Sequence, residues 1–193
     1  MPKRIVYTRP DGGVSVCAPS LTALRFMTGG GGRWDGYPRG FLDRQIAKQS
    51  EECGEWAAVR FVRGMQFGGL SSAEAYALIR DRFCGYLGTG HELWNVADIP
   101  TDRWFRDAWI RGHNGGPIDV SLRKARVIQF RRITDAVDQE NARRRTDINL
   151  FDRPIQPDWS EMRDAIRRAD DVAELRHVWP GDLPPPNSQL APL

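Results

Sequence analysis

The chain has 193 residues, 40% of them hydrophobic and 27% charged, with a net charge of +3. That length allows one domain, or one domain with an appendage, and a core that holds without disulfide staples; the composition excludes a disordered or fibrous chain. Residues 1–100 carry 12 basic and 10 acidic side chains and residues 101–193 carry 16 and 15, so both halves are near balance and net charge alone creates no strong pull towards polyanions.

In chain order, residues 5–8 and 14–17 are β-favouring runs that flank Arg9-Pro10-Asp11-Gly12-Gly13. Pro presets φ, Asp tolerates turn geometry and Gly supplies positive φ, so a hairpin is expected. A lone hairpin is marginal in water. It must pack on helices or pair with another strand, which a partner chain could supply. Gly29 to Gly32 precede Arg33-Trp34-Asp35-Gly36-Tyr37-Pro38, and this stretch is read as a mobile loop. A phosphate-cradling loop is excluded, because no strand precedes it and no Lys-Ser/Thr pair follows. Trp34 and Tyr37 are candidates for a partner-contact tip, or for a lid folded back on the core.

A helix is expected over 38–53, with Phe41, Leu42, Gln45 and Ile46 on one face and Gly54 as its stop. A second runs over 55–67 with Trp56, Val59, Val62 and Met65 or Gln66 inward. Gly68 and Gly69 break it, and Ser71-Ser72-Ala73-Glu74 is a capping box for a third helix that ends near residue 82 and buries Ala75, Leu78, Ile79 and Phe83. Glu74, Arg80, Asp81 and Arg82 give this third helix mixed charge. That suits packing better than reading DNA through phosphates.

Residues 91–100 read as extended. Thr101 can cap a helix over 102–109 whose aromatic face is Trp104, Phe105, Ala108 and Trp109; Trp104 and Trp109 are the other partner-contact candidates, since Trp is enriched at interfaces. His113-Asn114-Gly115-Gly116 is a turn and 117–120 a short strand. A long helix follows over 121–145, with Leu122, Ala125, Ile128 or Gln129, Ile133, Ala136 and Val137 facing the core. Its outer face carries Arg123, Lys124, Arg126, Arg131, Arg132, Arg143, Arg144 and Arg145 against Asp135, Asp138 and Glu140. Two readings stay open for that face: a solvated surface paired with acids elsewhere, or a stripe that takes phosphate or carboxylate. Residues 149–157 read as a linker. Asp158 opens a helix ending near residue 169, Asp170 or Asp171 caps a last short one, and Trp179-Pro180 closes it. Residues 181–193, with Pro184-Pro185-Pro186, read as a flexible tail or an arm that orders on a partner. The fold class expected is α+β and predominantly helical: a short N-terminal β-hairpin (1–20) packed on or beside a helical body, a Gly-rich loop with a helical insert (21–94), the body with the long basic helix (95–180), and a flexible Pro-rich tail (181–193).

Chemistry is sparse. Cys17, Cys53 and Cys84 form no CxxC pair, and their odd number argues against a closed intramolecular disulfide framework. Reduced buried thiols are expected, with cross-links between subunits as the alternative. His91, His113 and His177 show no metal-ligand spacing. Cys84 could meet His91 or His113 in space, but no local motif supports a nucleophile there. Asp98, Asp102 and Asp107 read first as helix caps and ion pairs. No catalytic residue, metal ligand or cofactor is therefore assigned, and a binding or structural part is expected rather than an enzyme; a hydrolase of unknown type stays as a distant alternative. Neither a signal-peptide pattern nor an apolar run of membrane-spanning length occurs.

Four segments carry a resemblance. They are Lys3-Arg4-Ile5-Val6-Tyr7-Thr8-Arg9-Pro10-Asp11-Gly12-Gly13; Asp98-Ile99-Pro100-Thr101-Asp102-Arg103 with Phe105-Arg106-Asp107-Ala108-Trp109; Ile118-Asp119-Val120 with Leu122, Lys124, Ala125 and Arg126; and Glu174-Leu175-Arg176 with Val178-Trp179-Pro180. Over residues 1–19 and about 95–180 the chain resembles small proteins encoded in bacteriophages and prophages of alphaproteobacterial hosts, while 21–94 departs from the shorter members as an inserted helical unit. The resemblance brings no active site. It implies a virion part, such as a neck, tail or capsid-decorating subunit or an assembly helper. Such a part would be assembled in the host cytoplasm and would bind copies of itself or other virion proteins. The alternative is a nucleic-acid-binding phage accessory protein that uses the arginines of 123–145.

Overall fold

The computed structural model describes residues 3–112, 116–146 and 154–186. The fold is α+β and mainly helical, and the chain divides after Ile99 into two compact units.

In the first unit, β1 (Lys3–Thr8) and β2 (Val14–Cys17) form the expected hairpin, paired from Ile5 opposite Cys17 to Thr8 opposite Val14. The turn is made by its own residues. Asp11 Oδ1 accepts from the Gly13 N–H at 2.9 Å, the Gly12 N–H donates to the Arg9 carbonyl, and Gly12 sits at φ +73°. The third strand comes from the same chain. β3 (Thr89–Asn95) pairs antiparallel with the other side of β1, so the sheet order is β2-β1-β3. The hairpin thus has the further strand it needs, and β1 has no side open for a partner's strand.

Four helices complete the unit. α1 (Leu21–Gly29), which the sequence reading does not assign, starts at Ser20, whose Oγ accepts from the Ala23 N–H. α2 (Phe41–Cys53), α3 (Glu55–Phe67) and α4 (Ser72–Phe83) follow the expected order. The capping box of α4 is closed in both directions: Glu74 N–H donates to Ser71 Oγ, and Glu74 Oε2 accepts from the Ser71 N–H at 2.9 Å. Those bonds hold the Glu74 carboxyl below its usual range. The core joins Ile5 and Tyr7 of β1, Met27 of α1, Phe61 and Met65 of α3, and Ala75, Tyr76 and Ile79 of α4; each large side chain contributes about 1.5–3 kcal/mol by leaving water.

The glycine run is not a mobile loop. A Cβ on Gly31 would collide with the Gln66 carbonyl, and one on Gly68 with the Gly30 backbone. Two stretches of main chain touch there, and only glycine permits it. The Gly32 N–H donates to the Gln66 carbonyl at 2.7 Å. The Gln66 side chain then accepts from the Trp34 N–H and donates to Asp35. Gln66, expected only as a possible core residue, is the clamp of the loop.

The second unit is built on α5 (Leu122–Thr146). Ala125, Gln129, Ile133 and Val137, four residues apart, are its buried stripe. They pack with Trp104, Phe105, Ile155, Ile166 and Leu175. α6 (Trp159–Arg168) is capped by Asp158 and α7 (Val172–His177) by Asp171. Residues 102–109 are not an α-helix. Asp102 Oδ1 accepts from the Trp104 N–H, a single 3-10 turn spans Arg106–Ala108, and β4 (Trp109–Arg111) then pairs antiparallel with β5 (Ile118–Val120). The ladder claims the backbone of Trp109, while tight turns still bury the same four residues that a helix would. The turn at 113–115 lies outside the described residues, as do 147–153 of the linker and 187–193 of the tail. Where those segments are described they pack. Ile155 is buried and clamped by Asn141 through two hydrogen bonds, and Leu183 is buried beside Pro184, whose carbonyl accepts from Trp179 Nε1. Among the described residues no helix is long and apolar enough to cross a membrane.

Candidate functional site

The first unit carries an apolar surface. Leu21, Tyr37, Trp56, Phe67, Phe83, Tyr86, Leu87, Leu93 and Val96 are exposed there, Trp56 at 66% and Tyr86 at 76%; among the described residues Val127 is the one comparable side chain on the second unit. Sequence reasoning placed Trp56 and Phe83 in the core. Trp56 instead lies in the first turn of α3 with Arg60 stacked over its ring at 4.7 Å, and Phe83 meets Phe61 edge to face. α2 has no buried residue: its stripe of Phe41, Leu42, Gln45 and Ile46 is the expected one but is only half covered.

Between α1, α4 and the sheet lies a groove of about 640 Å³, walled by Leu21, Leu24, Tyr76 and Leu93 and carrying Lys3 and Arg25 as its charged groups. It exists because β3 returns beside β1, a pairing of residues far apart in sequence. The adjacent Leu93 and Trp94 fit an extended segment but do not say which side meets the groove.

The expected contact residues fare differently. Tyr37 is exposed at 57%, and its ring meets Phe41 at 4.3 Å, tilted by 37°. Trp34 is half-buried against the core and meets Phe41, so it acts as the lid rather than the tip. Trp104 and Trp109 are 5% and 1% exposed and offer no surface to a partner. Their role is internal. Trp104 Nε1 donates to Gln129 Oε1 at 2.9 Å, and Gln129 Nε2 donates to the Val178 carbonyl at 2.8 Å, so Gln129, the one fully buried polar residue among the described residues, is satisfied at both ends.

The basic face is partly structural too. Arg132 stacks over Trp104 at 4.5 Å and donates to its carbonyl, and burial lowers the guanidinium's pKa from its ordinary value. Arg126 donates to the Ala169 carbonyl at the end of α6. Arg143 and Arg144 both pair with Glu140, whose carboxyl they hold down at about 2. Arg145 donates to the Asn141 carbonyl. Arg123 and Arg131 are exposed. The stripe of seven arginines is thus mostly a set of internal ties.

His91 and Cys84 do meet, but through the backbone: His91 Nε2 lies 2.8 Å from the Cys84 carbonyl oxygen, and the ring stacks on Tyr7. The Cys84 thiol is pushed up to about 12, first by burial and then by the neighbouring Cys17 thiol, which is opposite to what an activated nucleophile needs. Asp102 makes its turn and pairs with Arg176 at 3.0 Å, and Asp98 accepts from Asn95. His113 lies outside the described residues. Among the described residues no three His, Cys, Asp or Glu side chains converge as metal ligands.

Comparison of the chain with protein-family models, with curated proteins and with solved structures returns no match.

Proposed function

We propose that this chain is a structural or assembly protein of a bacteriophage particle, and that it works by binding other protein chains, either virion subunits or copies of itself. The observation that carries the reading is the apolar surface of the first unit. Large side chains such as Trp56, Phe67, Tyr86 and Leu93 stand in water there, and two of the exposed leucines, Leu21 and Leu93, wall one groove; exposed apolar and aromatic side chains are what protein contacts use. The phage assignment rests on the resemblance of residues 1–19 and 95–180. The nucleic-acid reading has less support, because Arg126, Arg132, Arg143 and Arg144 already hold partners within the chain.

Mass spectrometry of particles purified from a strain that carries this gene tests the reading. Copies in fixed ratio to the capsid or tail proteins are expected. Absence from particles, together with DNA binding that weakens steeply as salt rises, would replace it with the accessory role.

A further inference from the structure

Ile5 and Leu93 stand opposite each other in the β1–β3 ladder, so their side chains leave the same face of the sheet. Ile5 is 1% exposed beneath the helices, while Leu93 is 41% exposed. The helical layer thus covers β1 and stops short of β3, and the groove of about 640 Å³ lies in the gap. α1 lines it with Leu21, Leu24, Arg25 and Thr28, at i, i+3, i+4 and i+7, a complete helical stripe over about 10 Å of axis. α4 adds Ala73 and Tyr76. The Tyr76 hydroxyl accepts from the Lys3 N–H at 2.9 Å, which pins the start of β1 to α4. Lys3 and Arg25 are exposed, and among the described residues neither side chain has a hydrogen-bond or ion-pair partner. None of the described residues that line the groove is acidic.

We propose that the groove takes one amphipathic helix of a partner protein, whose apolar stripe is flanked by Asp or Glu. This rests on the reading that the first unit binds other protein chains, and it names the chemistry of the partner. A helix is the fitting occupant for two reasons. The stripe on α1 is a ridge of the kind that packs against another helix, and a helix lying beside α1 and α4 would continue their layer over Leu93. A strand added at the edge of β3 would instead lie in the plane of the sheet and leave Leu21 and Leu24 in water. The acids follow from charge. Two unpaired cations beside an apolar floor repel a basic partner and steer an acidic one into register.

The test uses the full chain and three fluorescein-labelled peptides of about 18 residues, long enough to hold a helix, read by fluorescence anisotropy. The first has leucines at i, i+3, i+4 and i+7 with glutamates beside them. The second replaces each glutamate with lysine, and the third has the composition of the first with its leucines scattered. The first is expected to bind about ten-fold or more tighter than either of the others, and its margin over the lysine peptide should shrink as salt rises. Lys3→Glu combined with Arg25→Glu should turn the preference towards the lysine peptide, and Leu93→Ala should weaken the first peptide several-fold. All three positions are exposed, and unchanged circular dichroism checks that each variant folds. Equal binding of the glutamate and lysine peptides, a preference that survives the charge reversal, equal binding of the scattered peptide, or no binding below millimolar concentration would each overturn the proposal. A dimer of the chain that Leu93→Ala dissociates would overturn it in favour of a second copy, and dodecanoate binding that no peptide displaces would do so in favour of a small amphiphile. Copies of the chain in phage particles without peptide binding would leave the phage reading standing and remove this one; peptide binding with no copies in particles would do the reverse.

Discussion

In the second unit Trp104 and Trp109 are buried, and Arg126 and Arg132 reach inward to backbone carbonyls. In the first unit Trp56, Phe67 and Tyr86 stand largely in solvent, and α2 buries no residue completely. The same residue types thus serve two ends. The second unit uses its indoles and guanidiniums as internal joints: Trp104 Nε1, Arg126 Nη2 and Arg132 Nη2 each donate to an acceptor within the chain, while Arg126 Nε is buried without one. The first unit leaves apolar side chains uncovered, a state that water penalises and that another chain would relieve. Residue type alone does not identify an interface; what matters is whether the chain's own interior has already taken the side chain.

The sharpest way to break this comparison is a pair of substitutions. Trp104→Ala should cost about 3–5 kcal/mol in chemical denaturation, because it empties a core site. Trp56→Ala should stay within about 0.5 kcal/mol, as exposed positions do; a large loss there would mean that the first unit needs its tryptophan for folding, and the contrast would fail. Gln129→Leu comes next. It leaves the Trp104 indole N–H and the Val178 carbonyl without partners, a loss of roughly 2–4 kcal/mol, readable as a lower denaturant midpoint.

Gly31→Ala should destabilise the first unit by about 1–3 kcal/mol, because a positive φ and a backbone collision coincide there. Gly36→Ala, with a similar φ of +82° but open space around it, should cost about 1 kcal/mol. Equal effects from the two would show that the loop does not rest on Gln66.

A smaller effect is expected from acid. The Glu140 carboxyl is held at about 2 by Arg143 and Arg144, against an ordinary value of 4.5. Its support for the end of α5 is complete above pH 4.5 and is lost as pH falls through about 2. Hydrogen exchange at residues 140–146 should rise across that window in the wild type. In Glu140→Gln it should be raised already at neutral pH and change little with acid. The smallest stability effect, within about 0.5 kcal/mol, is expected for Leu93→Asp on the groove wall. If the groove is a contact surface, that variant should nevertheless be missing from purified particles, and its undiminished incorporation would move the contact elsewhere.

Much of the second unit was legible because its signals are local. Asp158 and Asp171 accept from backbone N–H groups two or three residues on, and the stripe on α5 follows from helical periodicity. The helix expected over 102–109 failed for the opposite reason. Its aromatic spacing fits a helix and a turn equally, and the pairing of Trp109 with Val120 decided between them. The surface of the first unit was least legible. Trp56 sits where periodicity turns it inward, yet no other element of the unit covers it.

By itself, then, the amino-acid order determined the hairpin turn at Asp11 and Gly12, the capping box of α4 and the buried face of α5, since each depends on groups only a few residues apart. Tertiary structure decided the pairing of β3 with β1, the backbone contact that requires Gly31 and Gly68, and the side of each tryptophan that meets water. These bring together groups far apart in the chain. Their energies arise from packing and from the loss of water around particular neighbours, which no local pattern specifies.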